Sequence, residues 1–372
     1  MVNIRHASGR RRQRYSVAME FRENVPLAPL TTFGIGGPAR YFVAVRSETE
    51  LRDAMLWAGT KMLPAFVLGG GSNLVVSDAG WPGLVIKMEI GGIRRTRNGA
   101  RDVFSVGAGV DWNEFVATAI DADCAGIECL NGIPGTVGAT PVQNVGAYGQ
   151  DVSETIVKVR ALMRETLEPV EFTNEQCEFT YRTSRFNTYD KHAYIITQVD
   201  FALTQGGPPK IEYGDVKKYF ANSQETSTLR SVSEAVWKIR RSKAMVITDD
   251  EPDSRSAGSF FKNPIITRER FEILSAKALE NGKEIPSFAA DAGHVKIPAA
   301  WLIENSGLEK GFTLGRVAIS SKHTLALVNR GGATSAELLA LKELVQQKVR
   351  EAFGIELRPE PVFLGFDLAE GA

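Results

Sequence analysis

Leu338, Leu341, Val345, Val349 and Phe353 recur at three- and four-residue steps, the spacing that gathers apolar side chains on one face of an α-helix. Thr334 with Glu337 three residues on predicts a capping box at its start, and Gly354 predicts its stop. The same reasoning predicts helices opened by Ser47 with Glu50, by Asp111 with Glu114 and by Ser231 with Glu234, and a short one over 299–306 bracketed by Pro298 and Gly307. Short runs rich in β-branched and aromatic residues predict strands at 39–45, 66–68, 84–88, 103–106, 155–163 and 194–203. The turn-rich insert Gly206–Pro209 marks a boundary after the last of them. Strands and helices alternate in the first part of the chain, so the class is mixed helix and sheet.

Length and charge narrow the function. The 372 residues exceed what one core usually covers. Lys plus Arg and Asp plus Glu are 44 each, which removes the uniform positive field that a nucleic-acid partner would need. No apolar run approaches the roughly 20 residues that span a bilayer. Cys124, Cys129 and Cys177 form no C-x-x-C pair, and the four histidines show no metal-ligand spacing, so no metal site is expected and a reducing compartment is. Residues 1–20 form an Arg-rich segment expected to be a disordered tail. The acidic run Asp249, Asp250, Glu251 and Asp253 reads as a solvated loop.

Glycine is concentrated: residues 31–150 hold 20 of the 35. The run Gly34 to Ala39 matches G-x-G-x-x-A, but Pro38 leads into a strand where a dinucleotide fingerprint must open a helix. More informative are Gly69, Gly70 and Gly71 followed by Ser72 and Asn73. Consecutive amides free of side chains form a nest for phosphate oxygens, with a tight turn as the alternative. About 65 residues on, Ile133, Pro134, Gly135, Gly138, Ala139 and Gly146 lie in a second stretch of small residues, against which a flat ligand can rest on backbone. Two such segments suggest a dinucleotide with its pyrophosphate between them.

The ordered motifs LTTFGIGGPARYF, LGGGSNLVV, GIPGTVGATPVQNVGAYG, YRTSRF, GSFFKNP and LRPEPVFLG resemble the bacterial UDP-N-acetylenolpyruvoylglucosamine reductases over about residues 25–365. The resemblance implies an α+β protein. A two-part FAD-binding domain of the vanillyl-alcohol-oxidase type would occupy 21–205. A smaller α+β substrate-binding domain would occupy 206–372, its terminal segment returning to the active site. It implies noncovalent FAD, NADPH as hydride donor, the enolpyruvyl ether of UDP-N-acetylglucosamine as substrate, and a cytoplasmic, monomeric enzyme of peptidoglycan precursor synthesis.

Residue by residue, Arg182 matches the family's carboxylate-binding arginine, with Arg185 as a competing candidate. Ser259 matches its proton donor and Glu360 its C-terminal glutamate. Tyr148, Lys243 and Asn263 match contacts to the UDP moiety, and Tyr213 matches the tyrosine of a substrate loop found in a longer subclass. Two other classes share the binding motifs: an FAD oxidase and a nonenzymatic nucleotide-sugar sensor. A covalently flavinylated oxidase would attach its cofactor through His or Cys near the phosphate loop, and residues 60–110 contain neither.

Overall fold

The computed structural model describes residues 19–366 apart from 223–225 and 291; residues 1–18 of the basic tail lie outside the described residues. Seven α-helices are described: α1 Glu48–Thr60, α2 Trp112–Asp121, α3 Gly214–Ala221, α4 Leu229–Ser242, α5 Arg268–Glu280, α6 Ala299–Glu304 and α7 Ser335–Phe353. Their caps follow the side-chain chemistry. Ser47 accepts from the Glu50 amide and Asp111 from those of Asn113 and Glu114. Thr334 and Glu337 form the reciprocal capping box of α7, and Gly354, at φ 63°, ends it. One cap differs from expectation. Thr228 and Ser231 cap each other, so α4 starts three residues earlier and Ser231 sits inside its first turn.

The amino-terminal half is built from two sheets. In the first, ordered 22–26, 38–45, 81–88, 65–68, strands 38–45 and 65–68 both run parallel to 81–88. Helix α1 makes the crossover between them and buries Leu51, Ala54 and Ala58. The second sheet is antiparallel, ordered 169–173, 156–163, 194–205, 101–107, 93–98. Phe115 of α2 packs against Phe201 and Phe104 of that sheet at ring-centroid distances of 4.8 and 5.8 Å. The Gly34–Ala39 run enters strand Pro38–Val45. A Cβ on Gly37 would lie 2.2 Å from the Asp78 carbonyl oxygen, so that glycine serves packing.

The carboxy-terminal half packs α5, α6 and α7 against two small three-stranded sheets. Leu338, Leu341, Val345 and Val349 are fully buried, as the helical spacing predicted. They share a core with Phe260 and Phe261, and with Phe33, Ile35 and Val75 from the other half. The halves are also stitched by backbone: strand Val362–Leu364 runs parallel to Leu74–Val76, the strand that leaves the three glycines. Helices α3 and α4 pack Val216, Val232 and Val236 onto Cys129 and Tyr148. Among the described residues no helix is long and apolar enough to cross a membrane.

Candidate functional site

One cavity of about 770 Å³ is lined by Gly69, Gly70, Gly71, Ser72, Asn73, Ile133, Pro134, Gly135, Gly138, Ala139, Gly146, Tyr148, Arg182, Tyr213, Lys243, Ser259, Asn263 and Glu360, the candidates from the sequence other than Arg185. One wall is backbone. The loop 69–73 joins strand Ala65–Leu68 to strand Leu74–Val76, and the amides of Gly70, Gly71 and Ser72 have no hydrogen-bond partner among the described residues. The second glycine loop closes against it. A Cβ on Gly70 would fall 2.5 Å from the Gly135 Cα, and one on Gly69 would fall 2.8 Å from the Thr136 hydroxyl. Gly71, at φ +67°, would push a Cβ to 2.0 Å from the Leu30 carbonyl oxygen. Adjacent open amides, kept bare by the approach of a second loop, suit the phosphate oxygens of a dinucleotide. The residues present therefore fit a flavin dinucleotide.

Within this wall Asn73 has another task. Its amide donates to the Gln143 Oε1 at 2.7 Å and to the Glu360 carbonyl oxygen at 3.3 Å, and its own carbonyl accepts from Val362 at 2.9 Å. It ties the two glycine loops to the carboxy-terminal segment.

The opposite wall is made of side chains. Phe260 and Phe261 are buried, and their segment runs beside the terminal one: Glu360 donates its amide to the Phe260 carbonyl at 2.9 Å and Lys262 to the Arg358 carbonyl at 3.0 Å. This antiparallel bridge, centred on Phe261 and Pro359, sets Ser259 and Glu360 on neighbouring strands of backbone. Arg182 reaches the same place from the other half. Its Nη2 donates to the Gly146 carbonyl at 2.6 Å, and its Nε lies 3.4 Å from the Glu360 carboxylate. Burial pushes the Glu360 carboxyl up from its ordinary range, outweighing the attraction of Arg182 and Lys262. Arg358 is exposed and is not among the charges that shift it. Arg185 lies outside the cavity wall, paired with Asp190 at 2.6 Å.

Asn144, Tyr148 and Arg182 adopt left-handed backbone at φ 44°, 50° and 54°. Tyr148 and Arg182 line the cavity, and such local strain gathers where geometry serves a ligand.

At the far end Tyr148 and Tyr213 meet edge to face at 5.2 Å. Lys243, the C-cap of α4, bonds Asp215 at 2.6 Å and lies 5.9 Å from the Tyr148 ring centre. Burial alone would lower the Lys243 amine; the Asp215 carboxylate reverses this, and the net is upward. Asn263 is held on its oxygen side by the Ala299 amide at 2.9 Å, at the start of α6.

Several cavity residues went unnoticed in the sequence. Lys296 packs over the Tyr181 ring at 4.3 Å, and its amine is pushed down by burial and by Arg182. The Arg240 Nε is shut off from solvent without a hydrogen-bond partner among the described residues, while its Nη2 donates to the Met245 carbonyl. His323 is held neutral, its pKa pushed down to about 4 by burial and the nearby Lys243. Arg240 stands three residues before Lys243 on the same helix, which was the available signal; Lys296 and His323 had none. The acidic run is exposed at Asp249 and Asp250, as expected of a solvated loop, and is corrected at Asp253. Asp253 is 1% exposed, accepts from Ser320 Oγ at 2.9 Å and from Ser321 N and Oγ at 2.7 and 2.8 Å, and pairs with Arg330. It is a buried anchor of the segment leading to Ser259, because three donors and the charge of Arg330 replace the water it loses.

Comparison with known proteins gives the following. Residues 39–166 match the family model of an FAD binding domain, and residues 250–364 match that of the UDP-N-acetylenolpyruvoylglucosamine reductase C-terminal domain. The UDP-N-acetylenolpyruvoylglucosamine reductase of Thermobifida fusca is 45% identical over 354 residues, covering 94% of this chain and 99% of its own. That of Streptomyces coelicolor is 41% identical, covering 93% and 90%. The crystal structure of the Thermus caldophilus enzyme of the same name superposes with a TM-score of 0.62 at 24% identity, covering 93% of this chain and 99% of that one; it shows the fold.

Proposed function

The chain belongs to the UDP-N-acetylenolpyruvoylglucosamine reductases, and from that membership we infer that it carries out the NADPH-dependent, FAD-mediated reduction of UDP-N-acetylglucosamine enolpyruvate to UDP-N-acetylmuramate, a step in peptidoglycan precursor synthesis. Bound noncovalently, FAD would supply the chemistry of hydride transfer from NADPH to the substrate. We assign residues 21–205 to flavin binding and residues 206–372 to closing over the substrate, in a monomer working in the cytoplasm.

Hydride arriving at the terminal vinyl carbon pushes negative charge onto the substrate carboxylate, and one proton must then reach the adjacent carbon. Arg182 grips that carboxylate with its planar fork. Glu360, whose carboxyl burial pushes up from its ordinary range, assists Arg182 at the same group. Ser259 delivers the proton from beside Phe260, where exclusion of water makes a hydroxyl a competent acid toward a strongly basic carbon. Gly69, Gly70, Gly71 and Ser72 would hold the flavin's pyrophosphate, and Ile133, Pro134, Gly135, Gly138, Ala139 and Gly146 would complete its binding surface. Asn73 positions both loops. Tyr148, Tyr213, Lys243 and Asn263 take the UDP end.

The observation that carries this reading is the bridge of 2.9 Å between the Glu360 amide and the Phe260 carbonyl, which sets the segment of Ser259 beside Glu360, itself 3.4 Å from Arg182, in a cavity whose other wall is the open nest. Purified protein is expected to show a flavin spectrum that bleaches with NADPH and regains colour with the enolpyruvyl substrate. A colourless protein that refuses FAD defeats the whole assignment. Bleaching without substrate-dependent recovery defeats the substrate.

A further inference from the structure

Lys87 lies on strand Trp81–Met88, opposite Leu68 in the parallel ladder, immediately before the three glycines. Its ammonium donates to the Gly69 carbonyl oxygen at 2.5 Å. Lys87 does not line the cavity, whereas Gly69 and Gly70 do, so the contact is made from behind the nest. The lysine is half-buried, and among the described residues it forms no ion pair; Glu89, the acid that acts on it, is itself paired with Arg46 at 2.7 Å. A half-buried ammonium spent on a carbonyl loses hydration that no carboxylate restores, and burial pushes its pKa down accordingly.

The geometry gives that contact a consequence. The Gly69 carbonyl and the Gly70 N–H belong to one planar trans peptide unit and point in opposite directions. With no side chain on either residue, little else fixes the rotation of that plane. A cation holding the oxygen from behind turns the Gly70 N–H forward, toward the cavity, where it has no partner among the described residues. The same cation polarises the peptide and makes that N–H a stronger donor.

We propose that Lys87 is a positioning residue for the cofactor: by pinning the Gly69 carbonyl it aims and strengthens the Gly70 amide toward the pyrophosphate, and so sets the affinity for FAD. The inference rests on the flavin reading above. The test is titration of flavin-stripped protein with FAD, followed by flavin fluorescence, together with thermal melting of the stripped protein.

Lys87→Met removes the charge and keeps the bulk. Its FAD dissociation constant is expected to rise by about ten- to a hundredfold, the range for losing one charge-assisted contact, with the melting point of the stripped protein unmoved. Lys87→Arg is expected to return it to within about threefold of wild type, because the donor and its charge are restored. An unchanged FAD affinity in Lys87→Met overturns the proposal. So does a loss of affinity that comes with a lower melting point, or one that arginine fails to restore, since either marks a merely structural lysine. Wild-type protein that binds no FAD refutes the flavin reading itself, a different failure.

Discussion

The two walls of the cavity are made of different material. The wall around Gly69–Ser72 and Gly135 presents backbone amides, and the side chains that matter there are the ones left out. The wall around Arg182, Ser259 and Glu360 presents side chains, and the function proposed above rests on their charge and protonation. Backbone donors neither titrate nor change with most substitutions, so the first wall tolerates pH but not bulk. The second tolerates modest changes of bulk and is sensitive to any change of charge. A site that must hold a large anionic cofactor permanently, and a substrate only in passing, gains from that division.

The division can be broken by experiment, starting where the effect is largest. On the side-chain wall, Ser259→Ala is expected to lower kcat by about 10²–10⁴-fold, while NADPH still bleaches the flavin at the wild-type rate. Stopped-flow absorbance of the two half-reactions separates these, and fast reoxidation by substrate would hand the proton to another group. On the backbone wall, Gly71→Ala places a Cβ 2.0 Å from the Leu30 carbonyl at φ +67°. Strain of about 3 kcal/mol is expected to weaken FAD retention on the order of a hundredfold, measured by ultrafiltration. Retention like wild type would mean the nest is a turn and not a binding surface.

Glu360→Gln sharpens the contrast through pH. The activity of the variant is expected to fall by about tenfold or more, and its rate should lack the decline expected of wild type as pH rises through the raised Glu360 pKa. Stability should move the other way. Because the folded-state pKa lies above the ordinary 4.5, the folded protein binds more protons than the unfolded chain. The contribution of Glu360 is thus fully present below about pH 4.5 and is lost as pH rises through its folded value. Glu360→Gln is therefore expected to unfold at a higher temperature than wild type at neutral pH, with the gap closing in acid. A melting point equal to wild type across that range would show that burial does not raise the Glu360 carboxyl. The smallest effect lies far from either wall: Thr334→Ala removes the cap of α7 and is expected to cost about 1 kcal/mol in thermal unfolding, with both half-reactions unchanged.

Helix α7 was legible because its periodicity, capping box and terminal glycine are local and agree. Helix α5 was not. Phe271, Leu274 and Ala278 pack inward while Ile273 and Leu279 stand 65% and 59% exposed, which blurs any single stripe. The start of α4 was misplaced because Ser231 satisfies the pattern of a cap, and only the reciprocal bonds show that Thr228 fills that place.

By itself the order of residues determined the glycine-rich loops, the ends of the best-patterned helices and, through six ordered motifs, the family. These are properties of short stretches, where backbone freedom and capping chemistry act within a few residues. Only the tertiary structure decided which side chains share the cavity. Lys87 behind the nest, Asp253 anchoring the Ser259 segment and Lys296 over Tyr181 are each joined to partners 18 to more than 100 residues away. No local pattern encodes such meetings, because the sheets and the returning terminal strand that arrange them form only when the whole chain packs.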